Sequence, residues 1–322
     1  MVLVVLGHSR GLPDYLVRLI FSFHVPLFFF ISGFLIKSGK LDAPIYRNAK
    51  KVLQSLAVPY FLFFLLAFLY WLATRNIGAK ALLTAGQAWY SPVAGLFTGL
   101  ESDLFVDPPL WFFPCLIMTA ITYHASRKFL TLTAATCIFG ALAFVITLFW
   151  KDSPFRLPLS LDSMWVALSF YAIGQYAREK NFFSNIKPGN LFLIFIIAAA
   201  LLVCAEGLNG KVDFANMHFG RWPALYMLTA LLGIVATFAF SALFPVSGIS
   251  AWISKNTLTI FPVHFIFLSL IRGVMVSLHA IPGDYAYGIE WSVVSSVLAI
   301  LFCVPCVFFL RRLPVSNTGR SP

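Results

Sequence analysis

Residues 4–34 read VVLGHSRGLPDYLVRLIFSFHVPLFFFISGF, and they decide how the rest of the chain is understood. Two histidines, His8 and His24, stand in otherwise water-avoiding sequence on either side of a short polar turn. A helical hairpin over these residues would bring both to similar depth. An imidazole in hydrocarbon is unfavourable unless it faces a partner or a wet cavity, so an ionisable residue there is a functional-site hypothesis by default. The remaining chain reads as housing for this hairpin.

Composition sets the class. Of 322 residues, 60% are hydrophobic, 17% aromatic and 11% charged, with a mean hydropathy of +0.87; a soluble domain carries about 25% charged residues. No hydrophilic stretch is long enough to fold alone, so the expectation is one integral membrane domain over residues 1–322. The net charge of +11 falls in alternate short loops, as positive-inside topology requires. A lysine and arginine stripe with interleaved aromatics is missing, which argues against nucleic-acid binding. All five cysteines lie in apolar segments, so neither a disulfide framework nor a metal-ligating pair is expected.

A spanning helix needs about 20 mostly apolar residues. Full-length candidates are residues 17–36, 52–73, 109–125, 129–150, 164–177, 191–204, 223–244, 257–277 and 291–310. Residues 1–7 form a further apolar run, which at about 1.5 Å per residue reaches only about 10 Å into a hydrocarbon core of about 30 Å before Arg10, Gly11 and Pro13 end it. The expected fold is thus all-α: a polytopic membrane protein of about ten transmembrane helices, the first cut short. One set of loops holds Lys37, Lys40, Arg47, Lys50, Lys51, Arg127, Lys128, Arg178, Lys180, Lys187, Lys255, Arg311 and Arg312, while the other collects most of the acids. The first set is expected in the cytoplasm together with both termini, which fits the inner or plasma membrane. The longest loop, residues 74–108, is either a lid or binding surface or an ordinary loop beside an aromatic belt that includes Trp111.

His8 sits at the end of its apolar run, where a neutral imidazole can take a proton from a hydroxyl at neutral pH; a histidine reaching for the headgroups is the alternative. His24 is followed by Pro26, which removes a backbone hydrogen bond and can kink the helix beside a cavity. Ser32 and Gly33 then allow a neighbouring helix or a ligand to come close. His264 follows Pro262 in the eighth full-length candidate, the ninth helix counting the short first run, and Arg272 lies two turns further along the same face. The pair suggests a polar seam or a structural bridge to nearby carbonyls. Glu206, close to a helix end, need not be buried. No zinc-protease, serine-hydrolase or nucleotide-binding signature is present, and no metal or bound cofactor is expected.

VVLGHS followed by SFHVPLFFFISGFL resembles the amino-terminal signature of the acyltransferase-3 family of bacterial membrane O-acyltransferases, in particular its fucose 4-O-acetylase-like branch. PPLWFFPCLI and NTLTIFPVHFIF are similar to two later motifs of that family, in the same order, so the likeness covers almost the whole chain. It implies about ten spanning helices, acyl-CoA (acetyl-CoA) as donor, and a hydroxyl of a cell-surface or lipid-linked carbohydrate as acceptor. It also implies that His8 is the catalytic histidine, with His264 as the late histidine and His24, Pro26, Ser32 and Gly33 in the second-helix motif. The family places a basic residue about three turns before the catalytic histidine, a position that here precedes Met1. Either the true start lies upstream or the chain is a shortened and inactive member.

Catalysis would then use His8 as general base or transient acyl carrier, with a positive group to neutralise the oxyanion. Arg272 and the backbone freed near Pro26 are candidates for that role. Lys37, Lys40, Arg47, Lys50 and Lys51 could dock the phosphates of coenzyme A, although topology alone also accounts for them. The rival function is a transporter or flippase for a glycan precursor, since an aromatic-rich bundle with a His/Arg seam suits translocation too.

Overall fold

The computed structural model describes residues 1–36, 39, 43–77, 81, 84–282 and 287–312. Its helices are α1 (Val2–His8), α2 (Asp14–Phe21), α3 (His24–Phe34), α4 (Ile45–Thr74), α5 (Val93–Thr98), α6 (Phe112–Ser126), α7 (Leu132–Phe149), α8 (Leu161–Glu179), α9 (Pro188–Asn209), α10 (Pro223–Ala242), α11 (Gly248–Lys255), α12 (Thr257–Ser277) and α13 (Ile289–Arg312). Among the described residues the sole β feature is an isolated bridge between Asp213 and His218. The protein is an all-α polytopic membrane protein.

Among the described residues seven segments are long and apolar enough to cross a membrane: Asp14–Phe34, Ile45–Thr74, Leu132–Phe149, Pro188–Asn209, Pro223–Ala242, Thr257–Ser277 and Ile289–Phe309. Two expected spans fall outside this set. Residues 109–125 are divided between a 3-10 turn, Pro108–Trp111, and the 15-residue α6. In α8, which covers the expected 164–177, the polar side chains face protein. Arg156 donates to both oxygens of buried Asp162 at 2.5 and 3.2 Å, and the Tyr123 hydroxyl donates to Gln175 Oε1 at 2.5 Å. A helix enclosed this way can hold polar groups that lipid would reject.

The chain divides into two compact units, each built from separate stretches. One contains Met1–Pro13, Leu53–Pro114 and the described residues from Gly248 on; the other contains Asp14–Val52 and Cys115–Ser247.

In the first unit α1 packs against α12 and α13. Val5, Ile271 and Ala299 form the buried centre of that contact, with Phe267, Leu268 and Trp291 around it. The Pro108–Trp111 turn also rests on α12, and the Phe261 ring lies 5.2 Å from Phe112 and 6.2 Å from Phe113. The 74–108 loop is tied to α4, because the Tyr60 hydroxyl donates to the Leu96 carbonyl at 3.0 Å and Trp71 meets Phe105 edge-on at 5.8 Å.

The second unit pairs α3 with α8, α8 with α7, and α9 with α10. Contact between α3 and α8 is a backbone contact: a Cβ on Gly33 would stand 1.9 Å from the Tyr171 carbonyl oxygen, and one on Gly174 would stand 2.1 Å from that of Phe30. Close approach of this kind needs glycine, and small residues are how membrane helices achieve it. Beside it, Phe30, Phe34, Phe183 and Phe238 form an aromatic cluster with centroid separations of 4.5 to 6.4 Å. Arg18 meets Glu206 at 2.9 Å. Glu206 is buried, contrary to the expectation from its place near a helix end.

Candidate active site

His8 ends α1, and the turn after it is held at several points. Ser9 donates from its hydroxyl to the Leu6 carbonyl at 2.6 Å, which caps the short helix. Ser292 on α13 donates to the Arg10 carbonyl at 2.7 Å. Gly11 has φ +97°, and a Cβ there would lie 2.4 Å from the Gly288 carbonyl oxygen. That backbone conformation and that proximity both exclude a side chain. A helix of seven residues thus gains a fixed position from its neighbours rather than from its length.

The His8 ring lies 5.3 Å from that of His264, centroid to centroid, tilted by 50°, with Phe265 edge-on at 6.2 Å. His264 is fully buried. Its Nδ1 faces the carbonyls of Phe261 and, at 3.3 Å, Ile260. Carbonyls only accept, so Nδ1 carries the proton and the neutral ring presents a lone pair at Nε2, which is buried with no hydrogen-bond partner. The family-type seam of α12 therefore meets His8 through a second imidazole.

Beside this pair lies a cavity of about 630 Å³, within the usual range for ligand pockets. His8, Arg10, Tyr70, Ser269, Arg272 and Trp291 contribute to its wall. Tyr70 on α4 donates to Ser269 Oγ on α12 at 3.1 Å. Arg272 donates from Nε to the Tyr287 hydroxyl at 2.7 Å. His8 and Arg272, chosen from sequence, line this cavity, and His264 packs against His8 without lining it; Arg10, Tyr70, Ser269 and Tyr287 were missed. Arg10 had a signal, as a cation in the turn two residues after His8, but it reads there simply as a helix breaker.

The other sequence candidates take different places. His24, Pro26, Ser32 and Gly33 belong to the second unit. The chain breaks at Ser22 and Phe23, so His24 opens α3 and Pro26 falls in its first turn. A missing N–H is tolerated there, and the break at Ser22 and Phe23 lies four and three residues before Pro26, where the proline removes the backbone bond to Ser22. His24 Nδ1 faces the Ile20 carbonyl at 3.0 Å, and its ring stacks edge-on with Phe21 at 4.7 Å. Ser32 donates to the Phe28 carbonyl, and what Gly33 admits is the α8 backbone. Trp111 is buried in the turn against α12 and does not line the cavity. Lys37 and Lys40 lie outside the described residues; Arg47, Lys50 and Lys51 are exposed at the start of α4. His218 meets Asp152 at 2.6 Å.

Fold and site together define a helical multi-pass membrane protein with an imidazole pair beside a cation-lined cavity. The acyltransferase-domain family model matches residues 1–311, and the chain belongs to the acyltransferase-3 family. It is a membrane acyltransferase. No curated protein and no solved structure matches it.

Proposed function

We propose that this chain transfers an acyl group, acetyl foremost, from acyl-CoA to a hydroxyl of a cell-surface or lipid-linked carbohydrate. The observation that carries this reading is the placement of His8 on the cavity wall with His264 behind it. His8 takes the acceptor hydroxyl proton as the oxygen attacks the thioester carbonyl; the tetrahedral oxyanion then collapses, the carbon–sulfur bond breaks, and the departing thiolate recovers the proton from His8. General-base assistance of this kind is worth about 10²–10⁴ in rate. His264, locked by its carbonyl contacts, acts on His8 through packing and so is a positioning residue. The loop charges support a plasma-membrane protein with both termini in the cytoplasm, where acyl-CoA is made.

Reconstituted protein should release coenzyme A from acetyl-CoA in an acceptor-dependent manner, and His8→Ala should lose at least about 10² of that rate. Unchanged turnover in His8→Ala removes His8 from the chemistry.

A further inference from the structure

The cavity beside His8 carries more positive charge than a sugar hydroxyl needs. Arg10 and Arg272 both line it. Tyr287 holds Arg272 in place, with its hydroxyl accepting from Nε at 2.7 Å and its ring centroid 5.7 Å from the guanidinium carbon. That leaves the Nη edge of the fork for another acceptor. Among the described residues no carboxylate forms an ion pair with either arginine. The two cations also feel each other: partial burial, and next the like charge of Arg272, push the Arg10 guanidinium below its ordinary value, with Tyr287 opposing. Two neighbouring cations with no counter-charge among the described residues are unfavourable in a membrane protein, and an anion would complete the set.

The source of that anion follows from chain geometry. Arg10 is two residues from His8, a separation of at most about 7 Å along the backbone. His8 works where the hydroxyl meets the thioester. In acyl-CoA the pantetheine arm places the nearest phosphate many bonds from the thioester, whereas a sugar can carry its charge on the same ring as the reacting hydroxyl. The anion therefore belongs to the acceptor.

We propose that Arg10 and Arg272, the latter set by Tyr287, form an anion subsite, and that the acceptor is an acidic sugar with a carboxylate or phosphate close to the acylated hydroxyl. This rests on the acyl-transfer reading above, but it can be read out without turnover. The test is equilibrium binding to the full chain in detergent. The ligands are glucuronate-containing and glucose-containing oligosaccharides of equal length, glucose 6-phosphate, and acetyl-CoA.

Wild type should bind the glucuronate ligand about tenfold or more tightly than the neutral one, the amount expected of charged hydrogen bonds. Tighter glucose 6-phosphate would assign the subsite to phosphate, and tighter glucuronate to carboxylate. Arg10→Gln and Arg272→Gln should each remove most of the preference and leave acetyl-CoA affinity unchanged. Tyr287→Phe, which keeps the ring and so the fold, should lose part of it. In turnover, acceptor KM should rise with kcat largely kept. Equal or undetectable binding of charged and neutral ligands by wild type overturns the proposal. So does a loss confined to acetyl-CoA, which would give the anion to the donor, or a fall in kcat at constant KM, which would make Arg272 an oxyanion stabiliser. Failure of His8→Ala to reduce CoA release would instead strike the acyl-transfer reading and leave the binding result standing.

Discussion

The crossing of α3 and α8 offers a quantitative test. Gly33→Ala would put a methyl carbon 1.9 Å from the Tyr171 carbonyl oxygen, and Gly174→Ala would put one 2.1 Å from that of Phe30. Ordinary contact begins near 3.4 Å, so either change requires the backbones to part by roughly 1.5 Å if the neighbour moves straight back. Overpacking of this kind costs about 1–3 kcal/mol. A gap opened along the rest of the crossing adds to that, since a void of 0.5–1 Å already forfeits a quarter to a half of each dispersion contact. Each single variant should lose about 3 kcal/mol. Both clashes are relieved by the same separation, however, so the double variant should also lose about 3 kcal/mol rather than about 6 kcal/mol. A coupling energy of about 3 kcal/mol is at the upper end for residues that share one interface. Reversible unfolding of the full chain in mixed micelles, run as a double-mutant cycle, measures it. Additive losses, or single losses below about 0.5 kcal/mol, would refute the idea that one backbone contact sets this helix pair.

Three further outcomes follow from buried groups. Asp107 is fully buried with both carboxylate oxygens lacking partners, and burial pushes its pKa well above its ordinary value of 3.8. An acid raised in this way contributes stability that is complete below the unfolded value and is lost as pH rises through the folded one. Asp107→Asn should therefore gain on wild type in melting temperature between pH 5 and pH 8, by up to about 1.4 kcal/mol per pH unit; a constant gap would refute this. For Arg18 and Glu206 the exposures differ, at 39% and 6% of the side chain. Arg18→Ala strands a buried carboxylate and should cost about 3 kcal/mol, whereas Glu206→Ala leaves a cation that can reach solvent or headgroups and should cost about 1 kcal/mol; the reverse order in thermal melts would sink the argument. Gly11→Ala, with φ +97° and a Cβ 2.4 Å from the Gly288 oxygen, should shift the turn that carries both His8 and Arg10. A displacement of about 1 Å can cost about 10² in rate, so CoA release should fall to that extent even where the folded protein is recovered, and wild-type kcat would contradict it.

What the sequence disclosed and what it withheld divide along physical lines. The class of fold was legible because hydrocarbon imposes a length and a composition on every span, and α12 matched its expected residues 257–277 at both ends. Of the two polar residues singled out on α12, Arg272 lines the cavity and His264 packs behind it on His8. α8 carries polar groups that its apolar run did not explain, because its environment is other protein: Asp162 and Gln175 are tolerable once Arg156 and Tyr123 are beside them. The break before α3 was legible from Pro26, because a proline frees the carbonyl four residues back, and the chain turns at Ser22 and Phe23. The hairpin that opens the sequence suggested His24 as the companion of His8, since the two are neighbours along the chain. Within the first unit, packing gives His8 His264 as a companion. Val5 on α1 and Ile271 on α12 share one buried cluster, and that contact brings in His264 from the far end of the chain. A buried imidazole states in sequence that it needs a partner, but which partner it has depends on the helix its own helix packs against. Arg10 follows the same rule. Its meaning changes from helix breaker to a cation on the cavity wall only when Ser292 and Gly288 of the far segment hold the turn against α13, with Arg272 on the same wall.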